Sequence, residues 1–592
     1  SETAYGLDSD GSLREARRTS YGHTTELDYG TDTTSLRLRR VYKAARVYGT
    51  DESSVPEQYR EILCQTTTLT QGRKLLASVT EKATETNGTL TKTTLYAYDS
   101  YGNVVTKTED VGLPGHDRRV TAYSYPQDMT GGGYTAMASA GMTGVPVETR
   151  VYKNSISGAN LLTTLSTEYS SHPCASGTFI APSSRSLTVR GDASTGRRIL
   201  LNEYDRRGNL LEFEDNDGRR TVYLWGYNGR YPVSAISGSD WSSVKARIDT
   251  SVLNTGTTDV IRQSLDAFRD GWSQTPGVHV STYTHNSLVG LSTTTDPSGR
   301  TTGYGYDGLG RLSRTYLADG DAEETVSTHS YRYGAYAGGN RIQTREYLDA
   351  SGASFRETNL YHDRLGRPVE TVRTAASPDG RDIAELSEHD AFGRPCREYR
   401  PVPLTTSTGA YAPFSAVHPE ILKFYNWEVY AFSKTLYEAS PLDRVTEEYG
   451  PGSPWHTRGR SVRTSYLVND GSGLLSCSGY LVESDTSVTC IGTLSSGNLN
   501  VVEVTDEDGN VSLTFTDKLG RKTLERTVDG ERYQDTYYVY DDLGLLRYVL
   551  TPEASAVMSS TGTFGDSSSP LSMQAYVYKY DGKGRCVSER RP

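Results

Sequence analysis

A nine-residue pattern recurs along the chain and constrains its fold more than any other feature. It consists of an aromatic residue, any residue, Tyr, Asp, two variable residues, Gly, Arg or Asn, and an apolar residue. The fullest copy runs from Asp296 to Leu312, opens with Asp296-Pro-Ser-Gly-Arg300 and ends with Tyr304-Gly-Tyr306-Asp307-Gly-Leu-Gly310-Arg311-Leu312. Other copies place their Asp and Gly at Asp99 and Gly102, Asp205 and Gly208, Asp363 and Gly366, Asp390 and Gly393, Asp541 and Gly544, and Asp581 and Gly584.

The spacing of this pattern predicts a β-hairpin. Side chains alternate between the two faces of a strand, so Tyr576, Tyr578 and Tyr580 share one face. The Asp that follows can accept backbone N–H groups, and the Gly three residues later can adopt the positive φ that closes the turn. The repeat therefore predicts an all-β chain of tandem hairpins that form a long curved or spiralling sheet.

Composition supports sheets that are wet on at least one face. Tyr alone contributes 43 of the 592 residues, and its ring suits a pleated surface while its hydroxyl needs a partner or water. The net charge of −11 is spread along the chain, which argues against nucleic acid as a partner. No apolar run approaches the length of a membrane span, about 18 residues.

These copies resemble the YD repeats of RHS proteins, which also occur in the shell component of Tc-type insecticidal toxins and in the teneurins. The segment from His362 to about Tyr411 is similar to a domain of unknown function that precedes the repeats in many bacterial RHS proteins. The resemblance implies a sheet that spirals into a hollow shell around a C-terminal effector. It also implies a secreted or bacterial cell-surface protein whose partners are the rest of its own precursor and other envelope proteins.

The sequence predicts six regions and two helical segments. A helix-like apolar stripe between Trp241 and Trp272, broken near Asn254, predicts two short helices on a sheet or in an opening. A further short helix is predicted from Pro552 to Met558. The regions are an N-terminal β region (1–90), repeat sheet with long loops (91–235), the helical insertion (236–275), repeat sheet (276–360), the RHS-associated region (361–470) and repeat sheet again (471–592).

No catalytic, cofactor or metal site is predicted. His362-Asp363 and His389-Asp390 resemble acid–base pairs, but both occupy the Tyr-Asp position of the repeat. Asp506, Asp508 and Asn510 faintly resemble a calcium loop, although the repeat also accounts for them. The chain is therefore predicted not to be an enzyme.

Two features leave alternatives open. Cys477 and Cys490 flank a turn-like stretch, so they form either a disulfide across a hairpin or two free buried thiols. The aromatic segment with Tyr425, Trp427 and Tyr430 is either a partner-binding surface or part of a core. If it binds a partner, the chain could instead be a surface binding module, through this segment or the loops of 126–200.

Overall fold

A computed structural model gives the fold of the chain. The structure describes residues 2–7, 13–20, 23–30, 41–48, 59–68, 72, 74–113, 116–174, 177–190, 192–319, 322–334, 338–438, 442–484, 486–567, 570–582 and 584–592.

As far as the structure describes them, residues 1–237 form a succession of strands with one short α-helix. The strands are β1 (Glu2–Leu7), β2 (Leu13–Ser20), β3 (His23–Gly30), β4 (Val41–Tyr48), β5 (Tyr59–Thr68), β6 (Lys74–Glu85), β7 (Gly88–Tyr98), β8 (Val104–Leu113), β9 (His116–Ser124), β10 (Glu148–Lys153), β11 (Leu161–Cys174), β12 (Gly177–Val189), β13 (Asp192–Tyr204), β14 (Leu210–Glu214), β15 (Arg220–Gly226) and β16 (Tyr231–Ser237), and α1 is Gly132–Ser139.

Three helices follow, α2 (Trp241–Lys245), α3 (Thr250–Thr255) and α4 (Thr258–Asp270). The next strands are β17 (His279–Asn286), β18 (Gly290–Thr295), β19 (Thr301–Tyr306), β20 (Leu312–Asp319), β21 (Ala322–Arg332), β22 (Asn340–Tyr347), β23 (Phe355–His362), β24 (Pro368–Arg373), β25 (Ile383–His389), β26 (Pro395–Tyr399) and β27 (Val402–Pro403).

The last part begins with α5 (Phe414–Phe424). It continues with β28 (Phe432–Tyr437), β29 (Val445–Tyr449), α6 (Ser453–Thr457), β30 (Val462–Val468), β31 (Ser478–Ser484), β32 (Ser487–Thr493), β33 (Asn500–Thr505), β34 (Val511–Thr516), β35 (Lys522–Asp529), β36 (Arg532–Tyr540), β37 (Leu546–Leu550), α7 (Pro552–Val557), β38 (Gly562–Gly565), α8 (Leu571–Gln574), β39 (Ala575–Tyr580) and β40 (Cys586–Arg590).

One long antiparallel sheet contains almost all strands from β5 to β40, and the predicted all-β fold is confirmed. Neighbours in the chain are neighbours in the sheet, except that β28 pairs with β26, β33 with β30 and β39 with β37. The short β27 adds to β25, and β31, β32 and β38 form a separate small sheet. In the part of the chain that the structure describes, no pairing joins β5 to β40, so the long sheet is open.

Because successive strands are antiparallel, alternate connections lie at the same edge of the sheet. The turns of Asp99, Asp205, Asp307, Asp363, Asp390, Asp517, Asp541 and Asp581 all lie at one edge, here called the tyrosine rim. Three copies without the tyrosine turn at Asp215, Asp296 and Asp506 on the other edge, here called the opposite rim. On the tyrosine rim itself, Thr516, His362 and His389 take the place of the tyrosine before Asp517, Asp363 and Asp390. Successive full copies are an even number of strands apart, so their turns fall at the same edge of the sheet.

In the part of the chain that the structure describes, three apolar clusters form where helices or the small sheet cover the long sheet. Helices α2 to α4 pack on β15 to β17 through residues such as Leu265 and Phe268. Helix α5 packs near β23 to β28 through Val417 and Ile421. The small sheet, α7 and α8 cover β33 to β39 around Tyr548. Other strands, such as β21 and β22, are half-exposed on both faces, as expected for a single layer.

The helix predictions are partly correct. The helix after Pro552 is confirmed, and the insertion near 241–270 is confirmed as helical and packs on the sheet. It contains three helices rather than two, because Asp240, Asp249 and Thr257 each cap a separate N-terminus. Helices α1, α5, α6 and α8 were not predicted. The six-region division stays a prediction.

Candidate functional site: the tyrosine rim and the seam

Each turn of the tyrosine rim is built around its aspartate. The Asp307 N–H donates to the Arg311 carbonyl at 2.9 Å, and the Gly310 N–H donates to the Asp307 carbonyl at 2.9 Å. Asp307 Oδ1 accepts the N–H groups of Leu309 and Arg311, and Oδ2 accepts Arg311 Nε at 2.7 Å. These hydrogen bonds, first of all those from the Arg311 side chain, lower the pKa of Asp307. The turn thus uses the Asp and the Gly directly, and Arg at the last position adds a side-chain bond to the aspartate.

The other predicted turn residues occupy equivalent positions. Oδ1 of each aspartate accepts the N–H two and four residues later at Asp99, Asp205, Asp363, Asp390 and Asp541, and four residues later at Asp581. The φ angle is positive at Gly102, Gly208, Gly310, Gly366, Gly393, Gly544 and Gly584. Asp541 differs because Leu545 replaces the arginine, and burial raises the pKa of its carboxyl.

An aromatic residue at the end of a strand that reaches the tyrosine rim ties its hairpin to the preceding one. The hydroxyl of Tyr306 donates to the Leu291 carbonyl at 2.8 Å, and Tyr580 donates to Leu546 at 2.8 Å. The same bond joins Tyr98 to Leu76, Tyr125 to Val104, Tyr204 to Pro182, Tyr331 to Leu312, Tyr437 to Pro395 and Tyr466 to Val445, and Trp225 Nε1 makes it to Leu210. Every acceptor lies near the tyrosine rim, so the aromatic residues join neighbouring hairpins along this edge by hydrogen bonds. Sequence reasoning missed this role.

Arginines of the turns add a second link along the rim. The Arg311 guanidinium lies 4.3 Å from the Tyr331 ring centroid, and that of Arg394 lies 4.6 Å from Tyr437. Both rings belong to the next tyrosine along the rim. The arginine therefore binds its own aspartate and stacks on the neighbouring repeat, which favours Arg over Lys at this position.

The long sheet returns on itself, and its opposite rim meets its own tyrosine rim along a seam. At one end, Arg444 bridges the carboxylates of Glu438 and Glu85 at 2.7 and 2.9 Å. Next to it, Asn87 Nδ2 donates to the Val468 carbonyl at 2.6 Å, and the Val468 N–H donates to Asn87 Oδ1 at 3.0 Å. These contacts join residues that are 359 and 381 positions apart in the chain.

The seam continues through charged residues of two turns. Lys518 Nζ lies 3.0 Å from Asp110 Oδ2. Asp542 contacts Lys153 at 3.0 Å, Arg190 at 3.2 Å and His116 Nδ1 at 3.5 Å. Burial alone would raise the pKa of Asp542, but hydrogen bonds from His116 and Lys153 hold it at about 2. The Asp542 carboxylate is therefore charged at neutral pH.

The two histidines of the variant repeats occupy tyrosine positions, at the ends of β23 and β25. His362 lines a cavity of about 380 Å³ together with Asp363, Glu388, Tyr411 and Phe414. Asp363 and Asp390 are both engaged by their turns, through Arg367 and Arg394. Both carboxylates are therefore already engaged by the hydrogen bonds of their own turns.

The aromatic segment after α5 divides between the interior and the surface. The hydroxyl of Tyr425 donates to the Pro401 carbonyl at 2.6 Å, and Tyr430 stacks on His456 at 4.4 Å. Trp427 instead is 73% exposed and has a positive φ of 62°. Of the three predicted partner-binding residues, the structure leaves Trp427 as the one that projects from the surface.

The cysteine and calcium alternatives have simple outcomes. Cys477 and Cys490 are free and buried, and Cys490 lies opposite Tyr480 in the hairpin, so the disulfide alternative is wrong. Asp506 Oδ1 and Oδ2 accept hydrogen bonds from its own turn. Among the residues that the structure describes, no group of three His, Cys, Asp or Glu residues could hold a metal ion. Within the same part, no helix is long and apolar enough to cross a membrane.

Comparisons with known proteins match two segments of the chain. A family model described as RHS Repeat matches residues 289–322, and one described as Domain of unknown function (DUF6443) matches residues 335–468. These segments include the full repeat copy at 296–312 and the segment from His362 to Tyr411. No curated protein matches the chain.

Solved structures match over a greater length but at low scores. The crystal structure of TcdB2-TccC3-Cdc42 matches 99% of this chain and 30% of that chain, with 12% identity and a TM-score of 0.25. TcdB2-TccC3 without its hypervariable C-terminal region matches 99% of this chain and 34% of that chain, with 11% identity and a TM-score of 0.21. The chain thus spans about a third of the length of these two structures.

Proposed function

Because the chain is an RHS-repeat protein, we propose that it forms the wall of a hollow shell that encloses a polypeptide segment of a larger protein. The observation that carries the proposal is the seam, where the sheet meets itself after one circuit. A sheet that closes a circuit through its rims surrounds a space. We propose no catalytic role for this wall.

The size of the circuit supports an internal space. From β7 to β30 the sheet takes about 22 inter-strand steps of about 4.8 Å, which gives a circumference of roughly 105 Å and a backbone-to-backbone diameter of roughly 34 Å. Side chains that project about 5 Å from each wall leave a bore of roughly 24 Å. A helix with its side chains is about 10–12 Å wide, so a polypeptide would fit.

The exposed area of the chain supports the same reading. Its accessible surface is 31273 Å², whereas a compact monomer of 65.0 kDa would expose roughly 20,000 Å². Strands that are half-exposed on both faces account for such an excess of accessible surface in a single-layer wall.

We infer that the larger protein is secreted or displayed on a bacterial surface, and that its remaining segments and other envelope proteins are the partners.

Electron microscopy of the purified chain tests the wall. We expect a ring or cup with a low-density centre roughly 24 Å across, as the strand count predicts. A solid particle of the same mass would contradict the proposal. Protease digestion of the precursor that contains this chain tests the enclosure, since enclosed segments should be cut only after the wall is denatured.

A second candidate function rests on Trp427. An exposed indole on a left-handed backbone turn is a suitable platform for stacking on a sugar ring or a partner side chain. We propose a surface binding module as the alternative, to be tested on a glycan array and in pull-downs from cell envelopes. Binding that is lost in Trp427→Ala but kept in Phe424→Ala, a change at another exposed aromatic residue, would support it.

A further inference from the structure

The seam is held differently from the rest of the wall. Consecutive strands of the long sheet are joined by continuous ladders of backbone hydrogen bonds, such as the eight paired residues of β22 and β23. Across the seam, the contacts run through side chains, namely the ion pairs of Arg444, Lys518 and Asp542 and the amide of Asn87. The seam is therefore the line along which the wall can part without the loss of any strand pairing.

The seam residues Lys518 and Asp542 share one position in the repeat, directly after the turn aspartate. The turn does not use this side chain, because its hydrogen bonds come from the aspartate and from the backbone two and four residues later. The position is thus free to vary, and it is Ser100, Arg206 and Gly308 in turns away from the seam. The turn therefore keeps the same backbone structure in every repeat, while the residue directly after its aspartate can differ and can contact another part of the wall.

The second residue after the turn aspartate is exposed in turns away from the seam and half-buried in turns at the seam. Leu309 and Leu365 are 76% and 78% exposed at the tips of their turns. Leu519 and Leu543 hold the same position but are half-buried at the seam. The earlier coil of the sheet, which carries Asp110, His116, Lys153 and Arg190, therefore covers the turns of Asp517 and Asp541. Each of these turns contacts that coil through the residues at its tip.

We propose that the seam is a polar latch along which the wall opens and recloses, and that Asp542 is its central residue. Asp542 faces Lys153, Arg190 and His116 of the earlier coil, so its loss leaves neighbouring positive charges without their counter-charge. A latch of ion pairs parts into water without exposing a large apolar surface, unlike a hydrophobic interface. The proposal concerns the coil contacts alone and holds whether or not a cargo is enclosed.

The Val468 amide reports directly on the latch, because it donates across the seam to Asn87. Hydrogen–deuterium exchange of a peptide that covers Val468 is compared between the parent chain and Asp542→Asn. We expect exchange at Val468 to rise by about tenfold in the variant, the size expected for the loss of a charge-assisted hydrogen bond. Salt near 1 M, where the screening length is about 3 Å, should raise exchange at Val468 in the parent chain.

Glu507→Gln is the matched control, because Glu507 directly follows the turn aspartate Asp506 on the opposite rim. It should leave exchange at Val468 unchanged. A second test exchanges the charges of another seam pair: Lys518→Asp alone should open the latch, and adding Asp110→Lys should close it again. Unchanged exchange in Asp542→Asn, or no recovery in the double variant, would overturn the proposal. So would faster exchange in the strands themselves, since that indicates unfolding.

Discussion

Glu370 is a buried carboxyl group with few hydrogen bonds to stabilise its charged form. Replacing it with Gln should stabilise its surroundings at alkaline pH. Its side chain is 1% exposed, Oε2 accepts the Ala412 N–H at 3.1 Å, and Oε1 has no hydrogen-bond partner among the residues that the structure describes. Burial raises the pKa of this carboxyl from 4.5 to about 7. The facing groups Tyr361 and Tyr411 have raised pKa values and stay neutral in this range.

The sign of the pH effect follows from the raised pKa. The folded chain binds the Glu370 proton more tightly than the unfolded chain, so this contribution to stability is complete below pH 4.5 and is lost as pH rises towards and through 7. The difference between 4.5 and about 7 corresponds to roughly 3 kcal/mol at pH 8. The amide introduced by Glu370→Gln cannot ionise and keeps an acceptor for the Ala412 N–H, so the substitution should remove this loss.

The assay is hydrogen–deuterium exchange of the segment around Ala412, corrected for the intrinsic effect of pH. Between about pH 5 and pH 8, protection should fall about a hundredfold more in the parent chain than in Glu370→Gln. Glu357→Gln is the control, because Arg345, Asn359 and Thr374 bind that buried carboxylate and its pKa is lowered despite burial. It should lower protection above pH 4.5. Equal pH profiles for the parent chain and Glu370→Gln would refute the reasoning.

Three further substitutions test the repeat itself. Asp517→Ala removes three accepted hydrogen bonds from a fully buried carboxylate and should destabilise its hairpin by about 2–4 kcal/mol, measured by exchange of the turn amides. Tyr306→Phe should cost about 0.5–1.5 kcal/mol by the same measurement, and unchanged exchange in the β17–β18 turn, which lies next to Leu291 at the tyrosine rim, would show that the Leu291 bond is unimportant. Gly366→Ala, at φ +80° in open space, should cost about 1–2 kcal/mol in local unfolding, whereas Gly308→Ala should be close to neutral.

The hairpins could be predicted from the sequence because their determinants are local. The aspartate, the glycine and the alternating tyrosines lie within nine residues, and each hydrogen bond of the turn spans at most four. Helix α5 was missed because Pro419 lies inside it and its aromatic residues suggested a surface. The three helices of 241–270 were counted as two because the Asp249 cap was not recognised.

The seam could not be predicted, for a different physical reason. Its partners lie more than 350 residues apart, and their side chains carry no pattern that a local rule can detect. The segregation of turns onto two rims could have been found, since the parity of the strand count decides it. The placement of Trp427 at the surface and of Tyr425 and Tyr430 in contacts depended on packing around α5, which the sequence does not specify.

The tyrosines explain how a wall one layer thick can be built from so few aliphatic residues. A strand with solvent on both faces gains little from apolar burial, so its end must be held by hydrogen bonds that persist in contact with water. The Tyr306 ring lies along the neighbouring hairpin and its hydroxyl binds a main-chain carbonyl there, so one side chain supplies both contact area and a directed bond. Where helices or the small sheet cover the wall, as around Tyr548, ordinary apolar clusters reappear. The tyrosine-rich composition is therefore a consequence of the single-layer architecture.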